Sequence, residues 1–310
     1  MSAEPGLAGS TAVMRAIRVH GPGGLEGLVT EQVQTPRLQE GEVLVRVHAA
    51  AITRGELDWP IDRLPATPSY ELSGVVAAVS PDADSVSIGD PVYALLPFDR
   101  DGAAADYVAV PAAVLAPKPR VLDHLASAAV PLAALSAYQG LFDHGRLAAG
   151  QVVLILGAVG GVGHFAVQLA RGCGAHVIGT ASPANADRAR GFGAHQVLDP
   201  RSLGFEEALE PVDLLFDTVG GELLARSAAV LHHGGQVVSV AEQPPDGTDA
   251  AYFVVEPNRA QLVELARLVD GGKLRPVIDS VFPLAQARAA FERSMARDKI
   301  GKVVLRVVDE

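Results

Sequence analysis

Four glycines fall within the seven residues of "GAVGGVG", Gly157 to Gly163. The run follows the apolar stretch "VVLIL" and opens the amphipathic stretch "HFAVQLA". Gly157, Gly160 and Gly163 are spaced three apart, with Gly161 and Val162 between the last two. Without side chains, backbone N–H groups can approach a pyrophosphate closely. The N-terminus of the following helix adds partial positive charge. A plain tight turn also uses glycine to reach positive φ. The run sits at the first strand-to-helix turn of a repeating series, and that place favours a dinucleotide.

The next informative position is the end of the second strand, "GTASPANADRAR". An NAD-specific site carries Asp or Glu there for the ribose 2′-OH. Thr180, Ala181 and Ser182 stand there instead, so no carboxylate repels a 2′-phosphate. Ser182 and Asn185 offer hydrogen bonds and Arg188 is a nearby cation, which favours NADPH. The same residues also fit a solvated loop in which Ser182 caps the next helix. His164 follows the last glycine. It either touches the phosphates or lies on the surface, and the surface reading is preferred.

Strands and helices must alternate to place that turn. From Gln151 onward, "VVLIL", "HVIGT", "HQVLD", "VDLLFD" and "QVVSV" read as strands buried on both faces. Between them "HFAVQLARGC", "ANADRARGFG" and "ELLARSAAVLHHGG" carry helical periodicity. The alternation predicts a doubly wound parallel sheet. Before it, "RAIRVH", "EVLVRVHAA", "LSGVVAAVS", "DPVYALL" and "DYVAVP" read as short antiparallel strands. After it, "NRAQLVELARLVDGG" is a helix, and the ending reads as strand, helix, strand that returns to the N-terminal part. "AYFVVEP" reads as an apolar edge strand of the parallel sheet, and an open edge predicts a homodimer.

The bulk numbers exclude some classes. The chain has 310 residues, 49% hydrophobic and 20% charged, with a formal net charge of −11. An acidic surface disfavours nucleic acid and anionic membrane as partners. No apolar run approaches the roughly 20 residues that span a bilayer. The start has no basic and apolar signal pattern. A single cysteine, Cys173, excludes an intrachain disulfide, so a cytoplasmic location is expected. Cys173 reads as a small buried hydrophobe. Abundant alanine, with arginine well in excess of lysine, points to a GC-rich bacterial source.

"AGQVVLILGAVGGVGHFAVQLARGCGAHVIGTAS" resembles the cofactor domain of the zinc-independent medium-chain dehydrogenase/reductase family, quinone oxidoreductase-like branch. "AAAITRGELDWP", "DGAAADYVAVPAAVLAPKP", "VPLAALSAYQGLFDHGRL" and "GKVVLRV" extend the resemblance over most of the chain. It implies an α/β fold, a GroES-like partly open β barrel plus a Rossmann doubly wound parallel sheet. The implied domains are a tail over 1–13, a catalytic domain from 14–125 and 260–310, and a cofactor domain over 126–259. The resemblance places the active site in the cleft between the domains. NADPH would deliver hydride there to a quinone or an α,β-unsaturated carbonyl. Ser136 would sit near the nicotinamide, Gly160, Gly161, Val162 and Gly163 at the pyrophosphate, and Ser182 and Asn185 at the 2′-phosphate.

This sequence also departs from the family. Asn185 and Pro200 replace a lysine and a tyrosine that help hold the 2′-phosphate, and "PSYELSG" places Ser69 and Tyr70 where Gly-His is common. One cysteine cannot supply the zinc ligands of the metal-dependent relatives. Tyr70 maps to the cleft, where its phenol either stabilises an enolate or packs in the barrel. Thr53 and Trp59 follow the third barrel strand, at the substrate-facing loop, where Trp59 either stacks on a flat substrate or only packs. Glu71 and Asp58 read as structural. The altered segment also leaves open a non-redox enzyme of the same fold, a cyclase or isomerase, and the resemblance, whose family includes non-catalytic members, leaves open an NADPH-binding protein without catalysis.

Overall fold

Short apolar runs broken by Gly, Pro and Asp cannot form long helices, and the first third of the chain pairs as strands accordingly. The computed structural model describes residues 12–21, 24–59, 63–202, 204, 209–244 and 249–308. Along the chain come β1 (Val13–Val19), β2 (Leu28–Gln34), β3 (Glu42–Ile52), β4 (Glu71–Val79), β5 (Pro91–Leu95), β6 (Tyr107–Pro111) and β7 (Ala116–Pro117). Helices α1 (His124–Ala128) and α2 (Pro131–Tyr138) follow. Then β8 (Val152–Leu156), α3 (Gly163–Gly172), β9 (His176–Thr180), α4 (Ala186–Phe192) and β10 (Gln196–Leu198) alternate. The alternation continues with β11 (Val212–Asp217), α5 (Gly221–Ser227), β12 (Leu231–Ser239) and β13 (Ala250–Tyr252). The chain ends with α6 (Arg259–Asp270), β14 (Ile278–Pro283), α7 (Ala287–Met295) and β15 (Lys302–Arg306).

Two compact units result. The first takes the chain up to Leu132, Glu256–Asp270 and the chain from Ile278. Its main sheet has the order β14-β15-β3-β4-β5-β7, with β6 also on β3, and β1 pairs β2 separately. Every pairing is antiparallel except β14 with β15. Ala49, Ala51, Ala128, Ala129 and Val304 form a small-residue core under α1. Helix α6 belongs here because Arg259 Nε donates to the Leu115 carbonyl at 2.7 Å and the Tyr93 hydroxyl donates to the Leu262 carbonyl.

The second unit takes Ala133–Val255 and Gly271–Val277. Its sheet is parallel throughout, in the order β10-β9-β8-β11-β12-β13. The order reverses at β8, the first strand, so the turn after β8 lies at a topological switch point. Leu154, Leu156, Ile178, Val212, Leu215 and Val237 fill its core. Among the described residues no helix is long and apolar enough to cross a membrane.

Several expectations differ in detail. Val13 already pairs in β1, and the Ala12 carbonyl accepts from Thr35 N–H at 2.9 Å. The expected tail over 1–13 therefore reaches into the sheet, and its residues 1–11 lie outside the described residues. Strand β2 was not expected, because in "LVTEQVQ" only Leu28 is buried. The stretch "ELLARSAAVLHHGG" is helical only to Ser227. After a turn, Leu231 enters β12, where it pairs with Val212. "AYFVVEP" contributes only its first two residues to β13, yet the alternation persists beyond them. Phe253 and Val255 are buried, while Tyr252 and Val254 are exposed along the sheet edge.

Candidate functional site

In the second unit the glycine turn is built from backbone alone. Gly157 adopts φ 81°, and a Cβ there would meet Thr218 Oγ1 and Val219 Cγ2, both at 2.8 Å. A Cβ on Gly163 would stand 2.0 Å from the Gly157 carbonyl oxygen. Thr180 fixes the turn from β9: its hydroxyl accepts from Gly157 N–H and its carbonyl from Ala158 N–H, both at 2.9 Å. From β11, the Thr218 hydroxyl donates to the Leu156 carbonyl at 2.7 Å. Helix α3 starts at Gly163, and its first turn closes on the glycine turn: His164 N–H donates to the Gly160 carbonyl at 3.3 Å, and Phe165 N–H and Ala166 N–H donate to the Val162 carbonyl at 3.1 and 3.0 Å. This is a cradle for an anion, and the residues present fit the pyrophosphate of a dinucleotide.

At the end of β9, Asn185 Nδ2 donates to Ser182 Oγ at 3.2 Å, and Asn185 N–H donates to the Ser182 carbonyl at 2.8 Å. Ser182 therefore does not cap the next helix with its side chain, as a capping serine would; a tight turn over Pro183–Asn185 intervenes. Arg188 is exposed. The nearest strand end brings one carboxylate, Asp199, which Arg201 engages through N–H at 3.1 Å and Nε at 3.4 Å. Ser136 is buried in α2.

The surface reading of His164 is overturned. Its side chain is fully buried against Phe165 and Phe192. Nδ1 bonds the Gly160 carbonyl at 2.8 Å, and Nε2 accepts from Val277 N–H at 3.1 Å. That contact, with Gln168 on Arg275, is why 271–277 joins this unit. Cys173 is half-buried rather than buried, with Sγ on the Ala170 carbonyl at 3.1 Å. Asp217 was missed, although "DTVGG" at a strand end was its signal. Fully buried, it accepts from Val219 N–H and Gly220 N–H at 2.9 Å and from Ser239 O–H at 2.7 Å, and so shapes the turn after β11.

In the first unit Tyr70 is buried. Its ring stacks on Trp59 at 6.0 Å and meets Phe98 edge-on at 5.1 Å. Burial raises the phenol above its ordinary range, while a hydrogen bond from Arg63 pulls the other way. The phenol keeps its proton at neutral pH. Trp59 also meets Phe98 edge-on, so its ring belongs to this aromatic group.

Thr53 is placed within a buried polar cluster that sequence reading did not anticipate. The Glu56 carboxyl accepts from Thr53 N–H and Ser69 N–H, each at 2.9 Å. Ser69 takes φ 68°, the left-handed conformation that favours glycine. Glu71 accepts from Leu132 N–H at 2.8 Å, from Thr53 Oγ1 at 3.3 Å and from Lys302 Nζ. Lys302 also donates to Thr53 Oγ1 at 3.1 Å. Glu71 and Lys302 are both buried, and removing one partner of such a pair leaves an uncompensated charge. Burial pushes the Glu56 carboxyl up to about 8, against the pull of the Thr53 N–H and Lys302. Burial, reinforced by Lys302, likewise draws the Lys299 ammonium down to about 8. Glu71 is thus structural, as expected; Asp58 is exposed.

Two family models match this chain: "Alcohol dehydrogenase GroES-like domain" over residues 39–120 and "Zinc-binding dehydrogenase" over residues 192–305. It is 33% identical to "Probable zinc-binding oxidoreductase, mitochondrial" of Arthroderma benhamiae, over 91% of this chain and 93% of that protein. It is 32% identical to "NADPH-dependent alkenal/one oxidoreductase, chloroplastic" of Arabidopsis thaliana, over 91% of this chain and 77% of that one. The chain belongs to the medium-chain dehydrogenase/reductase family, quinone oxidoreductase-like branch. The solved quinone oxidoreductase of Coxiella burnetii superposes with a TM-score of 0.89 at 31% identity, covering 96% of this chain and all of that one. This medium-chain reductase is an oxidoreductase that takes a nicotinamide nucleotide. One matching model carries zinc in its description. Among the described residues no group of three or more His, Cys, Asp or Glu is placed to hold a metal ion.

The Glu56 carboxyl gives a pH test. Its folded value near 8 lies above the ordinary 4.5. Above pH 4.5 the unfolded chain ionises first, so the contribution of Glu56 to stability falls as pH rises and levels off above 8. Glu56→Gln does not ionise. Urea unfolding across this range should show the variant gaining on the wild type as pH rises to 8, with no further gain above it. A difference independent of pH would mean that Glu56 is ionised in the folded protein.

Proposed function

We propose that this chain is an NADPH-dependent reductase that transfers hydride to an α,β-unsaturated carbonyl or a quinone. The observation that carries the choice of NADPH is the end of β9, where Ser182 and Asn185 are joined and no acidic residue occupies the ribose position. The name of the Arabidopsis relative supports the substrate class. Bound NADPH supplies the hydride. The glycine turn, Gly160 to Gly163 at the start of α3, would hold its pyrophosphate, Ser136 would lie near the nicotinamide, and Ser182 and Asn185 would hold the 2′-phosphate. With an enone, hydride reaches the β carbon and the electron pair moves to the oxygen. The α carbon then takes a proton from solvent. Tyr70, protonated at neutral pH and bonded through its oxygen by Arg63, is the donor proposed for that oxygen. Thr53 serves by bonding both members of the Glu71–Lys302 pair.

Calorimetric titration should give tighter binding of NADPH than of NADH, and an added enone or quinone should consume NADPH. In the same assay Tyr70→Phe should lose at least about tenfold in turnover while NADPH affinity is unchanged, since one oxyanion donor is removed. Equal affinity for the two nucleotides overturns the 2′-phosphate site. Unaltered turnover in Tyr70→Phe returns the phenol to packing alone.

We also propose a homodimer joined along β13. The strand is the outer edge of the parallel sheet among the described residues, with Tyr252 exposed in it and Val254 exposed just beyond it, and open edges are rarely left bare. Light scattering should give twice the chain mass at micromolar concentration; the mass of one chain would overturn it.

A further inference from the structure

His164 is the residue after the last glycine of the turn, and nothing in a generic cofactor turn requires an imidazole there. In this chain the ring is completely buried, so both of its nitrogens must be satisfied inside the protein. Nε2 lies 3.1 Å from Val277 N, whose only role can be donor, so Nε2 accepts. A neutral ring then carries its proton on Nδ1, 2.8 Å from the Gly160 carbonyl oxygen, and donates to it. The same carbonyl also accepts the His164 backbone N–H, at a longer 3.3 Å. The side chain thus supplies the shorter of two bonds that draw the Gly160 carbonyl toward α3.

A peptide unit is planar and, here, trans, so the carbonyl of one residue and the N–H of the next point in opposite directions. Drawing the Gly160 oxygen toward the helix turns the Gly161 N–H away from it, out of the turn, on the side where an anion at the helix N-terminus would sit. Glycine at both positions leaves this peptide free to rotate unless something holds it. The far side of the ring is anchored too. Gln168 donates to the carbonyls of His164 at 2.8 Å and Arg275 at 3.0 Å, and accepts from Arg275 N–H at 3.0 Å, so the segment bearing Val277 is itself fixed.

We propose that His164 is a positioning residue of the cofactor turn: its Nδ1–H holds the Gly160 carbonyl and thereby aims the Gly161 N–H at the pyrophosphate. The inference rests on the reading that this turn takes the nucleotide. It explains why a large side chain is accommodated at this position and why it is buried.

The two nitrogens can be separated by substitution. His164→Asn places a donor near the position of Nδ1 and abandons Val277. His164→Gln places an acceptor near Nε2 and abandons Gly160. Affinities for NADPH and for ADP, which carries adenosine and the pyrophosphate without the nicotinamide or the 2′-phosphate, are measured by calorimetry on the full chain, with melting temperature alongside. The expected result is that His164→Gln weakens both ligands by about tenfold, the scale of a lost, well-aimed hydrogen bond, while His164→Asn stays within about threefold of wild type. Both variants should melt lower. A merely structural histidine would lower melting in both and leave both affinities alike. His164→Gln binding as tightly as wild type, or His164→Asn losing as much as His164→Gln, overturns the inference alone. Wild-type protein that binds neither ligand overturns the reading of the turn and the inference with it. Nitrogen NMR of the wild type gives an answer that needs no variant to fold: a neutral ring protonated on Nδ1, with the Gly161 amide shifting on addition of ADP, is expected. A ring protonated on Nε2 contradicts the proposal.

Discussion

At Gly163 there is no room for a methyl group. The end of β8, the turn and the start of α3 approach so closely that a Cβ would stand 2.0 Å from the Gly157 carbonyl oxygen. Close-packed interiors do not absorb such an overlap by small shifts. The backbone is therefore the working surface at this junction, and neighbouring strands are arranged to hold it. Thr180 bonds it from one side and Thr218 from the other. Asp217 shapes the next turn along the same sheet edge, and Glu242 accepts from Gly221 N–H at 2.7 Å at the start of α5. A parallel sheet whose order reverses at β8 places these strand ends together, which is what a nucleotide needs.

The first unit is organised by a different constraint. Charges removed from water must be paired or neutralised. Lys302 is matched by Glu71, with Thr53 between them, and Glu56 meets the requirement by keeping its proton. This arrangement ties β15 at the end of the chain to β3 and β4 near its beginning, and it fixes the unusual backbone at Ser69, just before Tyr70. The environment of Tyr70 is thus set by backbone bonds to a buried acid as much as by the aromatic rings of Trp59 and Phe98.

Features that are local in the chain were legible in the sequence. The glycine spacing, the Val/Leu/Ile runs of the parallel strands and the acid-free end of β9 each depend on a few consecutive residues. Features that depend on distant partners were not. His164 reads as surface in sequence because the donor to its Nε2, Val277 N–H, is 113 residues away. Glu71 reads as structural, but its partner Lys302 lies 231 residues on and nothing local marks it. Glu56 sits in a loop of mixed polarity, where an acid gives no sign that it will be buried. Strand β2 escaped because its outward residues are polar and its inward ones few.

The central claim is that the turn between β8 and α3 is a backbone-built nucleotide site. Gly163→Ala tests it most directly, because it adds one methyl group at the point of closest approach and changes no charge. Circular dichroism should show a folded protein, and NADPH titrated into it should bind at least about tenfold more weakly than to wild type, the cost of an overlap that must open the turn. A folded Gly163→Ala protein that binds NADPH as tightly as wild type would contradict the account.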